Sequence, residues 1–196
     1  MTLQTFSVLI TGQIESVDLP NDNHVYCKYT YRYGPDWMPV AGLEQGLTQV
    51  ASHGFSLTGP AAPLVWNFPI EIAFRSTNVF GWPQLVIAVY GPNSLGQGDV
   101  VKGYVALRLP LAPGPHTLYG DLYVPQASSR IAAGYTWLRG HRPEFREPHF
   151  VAGGEGRGVT AVRSSGCVKV TLHVVTRDME QLGYAVRPAP PSIVAA

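Results

Sequence analysis

The stretch Trp66–Gly91, WNFPIEIAFRSTNVFGWPQLVIAVYG, constrains the fold more than any other part of the chain. In Pro69–Arg75, Ile70, Ile72 and Phe74 alternate with Glu71, Ala73 and Arg75, the period-2 pattern of a strand with one dry and one wet face. A polar Ser-Thr-Asn follows, and then Gln84–Tyr90 runs Leu85, Val86, Ile87, Ala88 and Val89 without a polar break, as a strand covered on both faces requires. Gly81-Trp82-Pro83 supplies a bend between them. The expectation is a hairpin flanked by Trp66 and Trp82 at the centre of a β-sandwich, with Trp66, Ile70, Ile72, Phe74, Trp82, Leu85, Ile87 and Val89 in its core.

The remaining segments extend the same pattern. Thr5–Val17 puts Phe6, Val8 and Ile10 on one face, with Gly12 as a bulge or bend, and is expected to pair with the strand that follows. That next strand, Val25–Tyr33, alternates Cys27, Tyr29, Tyr31 and Tyr33 with Tyr26, Lys28, Thr30 and Arg32. Leu47–Val50 reads as a short strand, and Val101–Leu109 and Thr117–Val124 as longer ones. Val101, Gly103, Val105, Leu107 and Leu109 should share a face. Cys167–Thr176 closes the series with Val168, Val170, Leu172 and Val174 inward.

One short helix is expected over Ser128–Leu138, capped by Ser128 or Ser129 and weakened at Gly134 by roughly 1 kcal/mol relative to Ala. The basic, Gly- and Pro-rich stretch Arg139–Gly158 reads as a long loop, and the Pro-rich tail after residue 185 as disordered. A single domain over residues 5–185 follows from 196 residues that are 45% hydrophobic, enough for one sizeable core. With 21 Gly and 17 Pro, turns outnumber any place for long helices.

Charge narrows the function classes. A formal net charge of +1 gives no electrostatic grip on a phosphate backbone, so nucleic acid is not an expected partner. No run of apolar residues is long enough to span a bilayer as a helix, and the N-terminus lacks the basic start of a signal peptide. Cys27 and Cys167, far apart and without CxxC spacing, read as reduced cytosolic thiols. No G-x-S-x-G elbow or supported Cys/His pair is present, so no enzyme activity and no catalytic residue are expected. The six histidines are dispersed and the aspartates occur singly, which predicts neither a metal site nor a cofactor.

Gly153–Gly158 imitates a phosphate loop but is followed by Val159, Thr160 and Val162 rather than by a helix. The concentration of Arg139, His141, Arg142, Arg146, Arg157 and Arg163 is partly neutralised by Glu144, Glu147 and Glu155. Those five arginines are candidate contacts for anionic lipid or an acidic partner. Trp37 and Trp137 border loops and are candidate partner anchors.

The strings VYCKYTYRYGPDW, AGLEQGLTQ, VWNFPIEIAFRSTNVFGWPQLVIAVYG, HRPEF and GEGRGVTAVRSSGCVKVTLHVVTRDMEQLGY, in this order from Phe6 to Tyr184, resemble the B9-domain family. The resemblance implies a C2-like antiparallel β-sandwich with long loops, acting as a structural subunit of the Meckel syndrome complex. Its implied place is the cytoplasmic side of the ciliary transition zone and basal body, where that complex gates protein entry and supports ciliogenesis. Implied partners are other B9-domain proteins (B9 domain-containing protein 2 and Meckel syndrome type 1 protein) and the tectonic and transmembrane components of the transition zone. The alternative is a peripheral module that docks on an anionic membrane surface, without calcium.

Overall fold

The computed structural model describes residues 4–53, 62–93, 98–125, 162–184 and 192–195. The strands are β1 (Phe6–Asp18), β2 (Tyr26–Arg32), β3 (Trp37–Gly42), β4 (Gln45–Leu47), β5 (Leu64–Ser76), β6 (Gln84–Pro92), β7 (Asp99–Arg108), β8 (Gly114–Pro125), β9 (Val162–Arg177) and β10 (Ser192–Ala195). A 3-10 turn, Glu180–Leu182, follows β9. Neighbouring strands run in the order β3-β5-β1-β9-β8-β7-β6-β2-β4, and β10 joins β8. All pairs are antiparallel except β10 with β8. The fold is all-β and C2-like.

A nine-strand path is too long to stay flat, because strand twist accumulates and curls the sheet. Here it folds over at a thin seam, since β7 meets β8 through one pair, Tyr104 opposite Tyr123. The layer β3-β5-β1-β9-β8 thereby faces the layer β7-β6-β2-β4. Aromatic contacts report the stacking: Tyr29 on β2 lies 6.0 Å from Phe68 on β5, and Tyr31 lies 5.9 Å from Phe74.

Alternation decides which residues fill the space between the layers. Phe6, Val8, Ile10 and Ile14 of β1, Ile70, Ile72 and Phe74 of β5, and Val168, Val170, Leu172 and Val174 of β9 are buried from one layer. Cys27, Tyr29 and Tyr31 of β2 and Leu85, Ile87 and Val89 of β6 meet them from the other. Each fully buried side chain of this size contributes about 1.5–3 kcal/mol, so the core rests on many comparable contributions. Strand β6 is covered on both faces, because Val86 and Ala88 pack with Val101 and Tyr104 in a second, smaller cluster outside the main core.

Several expectations from sequence are corrected by the pairing. Strands β5 and β6 do not form a hairpin: β5 lies between β3 and β1, while β6 lies between β2 and β7. The connection between them crosses from one layer to the other. Its polar groups are satisfied by the β2–β3 turn, with the Gly34 amide donating to the Gly81 carbonyl and the Trp37 indole to the Phe80 carbonyl at 2.8 Å each. Gly81 has φ +67° and approaches Gly34 so closely that a Cβ would sit 2.5 Å from the Gly34 Cα. A period-2 pattern specifies a strand and its buried face, whereas its neighbours depend on remote segments.

Likewise β1 pairs with β5 and β9 rather than with the strand that follows it. Gly12 is no bulge; a Cβ there would sit 2.1 Å from the Thr171 carbonyl, and the register shift falls between Ile14 and Ser16. The short fourth strand is Gln45–Leu47, with an isolated bridge from Ala51 to Val25 beyond it. On β7, a register shift opposite Val89 and Tyr90 places Val101 in the outer cluster with Tyr104, away from Val105 and Leu107. In the tail, Ser192–Ala195 form β10, parallel to β8. The expected helix Ser128–Leu138 and the loop over residues 139–158 lie outside the described residues.

Candidate partner-binding surfaces

The reactive side chains are tied into the fold. Cys27 and Cys167 are free, and burial pushes the Cys27 thiol up to about 12, which keeps it protonated and poorly nucleophilic. Glu15, on the outer face of β1, accepts from Lys169 and from the Thr171 hydroxyl on β9, and the Lys169 bond holds its carboxyl below the usual carboxylate range. Lys102, nearly buried on β7, pairs with Asp22. Among the described residues no three His, Cys, Asp or Glu side chains gather as a metal site.

One half-open hollow of ≈540 Å³ is lined by Thr30, Tyr31, Arg32, Tyr33, Glu44 and Gln45. Within it the Tyr33 hydroxyl donates to the Glu44 carboxylate at 2.6 Å. Burial, the bond to Glu44 and the adjacent negative charge push Tyr33 up to about 12, so the pair is a neutral phenol held by a carboxylate. This arrangement ties Tyr33 to the connection between β3 and β4.

Of the contact candidates from sequence, the described residues include Arg163 and Trp37. Arg163 is exposed on β9, opposite Val124. Trp37 is corrected: it is 3% exposed, its ring edge-on to Phe6, Phe74 and Trp82 at 4.9–6.1 Å, and so it closes the core rather than awaiting a partner. Arg139, Arg142, Arg146, Arg157 and Trp137 lie outside the described residues. The structure buries Trp66, Ile70, Ile72, Phe74, Leu85, Ile87 and Val89, and leaves Trp82 half-buried with its indole donating to the Leu109 carbonyl at 2.9 Å.

A surface that sequence reasoning missed lies along the ends of the two layers. Strands β3 and β4 are the first and last of the path, yet only Leu43 and Glu44 separate them in the chain. Among the described residues, the outer edges of β3 and β4 thus belong to strands joined directly in the chain. Gly42 makes the step possible: its φ is +93°, and a Cβ would sit 2.2 Å from the Glu71 carbonyl. Met38 and Val40 on β3, Leu43 in the connection, Leu47 on β4 and Val50 beyond it are all exposed, Leu43 by 68%. The available signal was a run of 14 residues, Trp37–Val50, with five large exposed apolar side chains and one charge, Glu44, but no alternation to assign them a buried face.

The family described as "Ciliary basal body-associated, B9 protein" matches residues 8–175, which spans β1 to β9. The chain is similar to B9 domain-containing protein 1 of Xenopus laevis, with 51% identity covering 91% of this chain and 88% of that protein. Against B9 domain-containing protein 1 of Homo sapiens the identity is 46%, over 94% of this chain and 88% of that protein. It is more distantly similar to B9 domain-containing protein 2 of Danio rerio, 28% identical over 89% of this chain and 95% of that protein.

Proposed function

Because the chain belongs to the B9 family of ciliary basal body-associated proteins, we propose that it is a non-enzymatic assembly subunit at the base of the cilium. In this role it joins the Meckel syndrome complex at the transition zone, binding other B9-domain proteins and, through them, the tectonic and transmembrane components. The complex limits protein entry and supports ciliogenesis. The observation that carries this reading is the family match across the whole sandwich, residues 8–175. A rigid two-layer domain suits such work, since a preformed surface loses little conformational freedom when a partner docks.

The test is co-expression of the tagged chain with B9 domain-containing protein 2 and Meckel syndrome type 1 protein, alongside imaging in ciliated cells. Recovery of a stable complex and a signal at the ciliary base is expected. A diffuse signal with neither partner recovered would overturn the proposal. Sedimentation of the chain alone with phosphatidylserine vesicles, lost in Arg142→Glu plus Arg146→Glu, would instead favour the anionic-membrane alternative through Arg139, Arg142, Arg146, Arg157 and Arg163.

A further inference from the structure

We infer that the edge of β8 over His116–Tyr119 is a strand-addition site for a short extended segment of another protein, and that β10 is the chain's own replaceable occupant of it. The inference goes beyond the assembly role proposed above and does not depend on which domains join the complex.

An uncovered strand edge is a template for another chain, and sheets close such edges or cover them. Strand β8 is paired along one edge by β9, from Gly114 opposite Val174 to Pro125 opposite Val162. On its other edge β7 reaches it at Tyr123, and among the described residues β10 alone meets the backbone of His116–Tyr119 there. Among the described strands β10 is the one parallel neighbour, and it stands off the continuous path of the sheet. Residues 185–191 separate it from Tyr184, and Pro190 and Pro191 have no amide proton to lengthen the ladder ahead of Ser192. The chain's own tail therefore covers this edge with four residues.

Such a cover is exchangeable. Hydrogen bonds from four residues are of the same order as the freedom lost in ordering them, and parallel pairing is slightly weaker per residue than antiparallel. What favours β10 is its tether, since a short connection holds a segment at roughly millimolar effective concentration. A second observation shows that the cover is incomplete. His116, opposite Ser192, is 5% exposed; its Nε2 meets the Ala112 carbonyl at 2.8 Å, while its Nδ1 is buried with no hydrogen-bond partner among the described residues. With Nε2 donating to that carbonyl, Nδ1 is an acceptor left without a donor while β10 is in place. Charge gives the edge no preference for an ionic ligand: Thr117, Leu118 and Tyr119 carry none, Lys169 opposite Tyr119 is paired with Glu15, and Asp121 lies two residues beyond. The chemistry recognised is thus backbone pairing by an extended, uncharged segment, of which Ser-Ile-Val-Ala is the example within the chain.

The experiment titrates the isotope-labelled whole chain with a synthetic peptide of residues 188–196, PAPPSIVAA, and follows backbone amide shifts in wild type and in Ile193→Pro plus Val194→Pro. Alternate residues of a strand face its neighbour, so one of the two substitutions removes a pairing amide of β10. The peptide should bind the variant about fivefold more tightly than wild type, with shifts centred on His116–Tyr119 and the rest of the spectrum native; fivefold is about 1 kcal/mol. A peptide carrying both prolines should bind neither. Absence of binding to the folded variant, or shifts away from the β8 edge, overturns the site. Equal affinity for variant and wild type overturns the role of β10 as its occupant. If sedimentation shows a wild-type dimer that the two prolines convert to monomer, the occupant is the tail of a second copy and the inference falls.

Discussion

On the β3–β4 side the chain itself carries one layer into the other through Leu43 and Glu44, whereas on the β7–β8 side the strand pairing between the layers is reduced to Tyr104 opposite Tyr123. Beneath the first side lies an interlocked aromatic group: Phe74 touches Tyr31, Tyr33 and Trp37, and Trp37 touches Phe6 and Trp82. The second side depends on small residues and close packing. A Cβ on Gly120 would sit 2.5 Å from a Leu107 methyl and 2.6 Å from a Val105 methyl, so the layers approach here because nothing stands between them. Much of the β8 edge is then left to β10, which pairs with His116–Tyr119. One side is thus sealed by rings and presents apolar residues outward; the other is sealed by proximity and a short added strand.

Breaking the ring-sealed side should cost most. Trp37→Ala removes a buried indole in contact with three rings and is expected to destabilise the domain by about 3–5 kcal/mol in chemical denaturation. A loss below about 1 kcal/mol would show that the aromatic group does not hold the layers together there.

Alkaline pH probes the same side more gently. Burial raises Cys27 from 9.0 and Tyr31 and Tyr33 from 10.0, with Cys27 and Tyr33 reaching about 12. For groups raised in this way the stabilisation is complete below the unfolded values and is lost as pH climbs through the folded ones. Thermal unfolding should therefore fall from pH 9 towards pH 12, and Tyr31→Phe with Tyr33→Phe should flatten the part above pH 10. A decline of equal steepness in that variant would assign it to other groups.

The smallest effect is expected on the opposite side. Deleting residues 192–196 removes four residues of parallel ladder, costing about 1 kcal/mol once the ordering of that segment is set against its hydrogen bonds. Hydrogen exchange should accelerate at His116–Tyr119 while the Tyr29 and Tyr31 amides stay protected. Acceleration at both sides would mean that the layers open as one unit.

The strands were legible because alternation is local. Val168, Val170, Leu172 and Val174 needed no partner to be identified as one face, and the unbroken Leu85–Val89 run announced its two covers. Partnership was not legible. Nothing within Trp66–Gly91 states that β5 belongs beside β1 and β6 beside β7; that is settled by the Gly34–Gly81 contact and by β9, remote in sequence. Gly12 was noticed, but its meaning required the Thr171 carbonyl across the sheet. The apolar β3–β4 side was missed for the converse reason. Met38, Leu43 and Leu47 carry no period, and exposure belongs to the assembled surface rather than to any window of residues. Trp37 misled in the same way, since bordering a loop in sequence left it free to point inward.

Strand β9 joins β1 to β8 along nearly its whole length, with Ser7 opposite Arg177 and Asp18 opposite Cys167. On a ribosome adding about 5–20 residues per second, the N-terminal strand therefore waits roughly ten to thirty seconds before its second neighbour has been made. Through that interval the newborn chain holds an apolar ribbon with at least one edge bare, a natural client for chaperones. Any premature stop before β9 would leave that vacancy permanent, so shortened products should be cleared by proteolysis rather than persist as partly working domains.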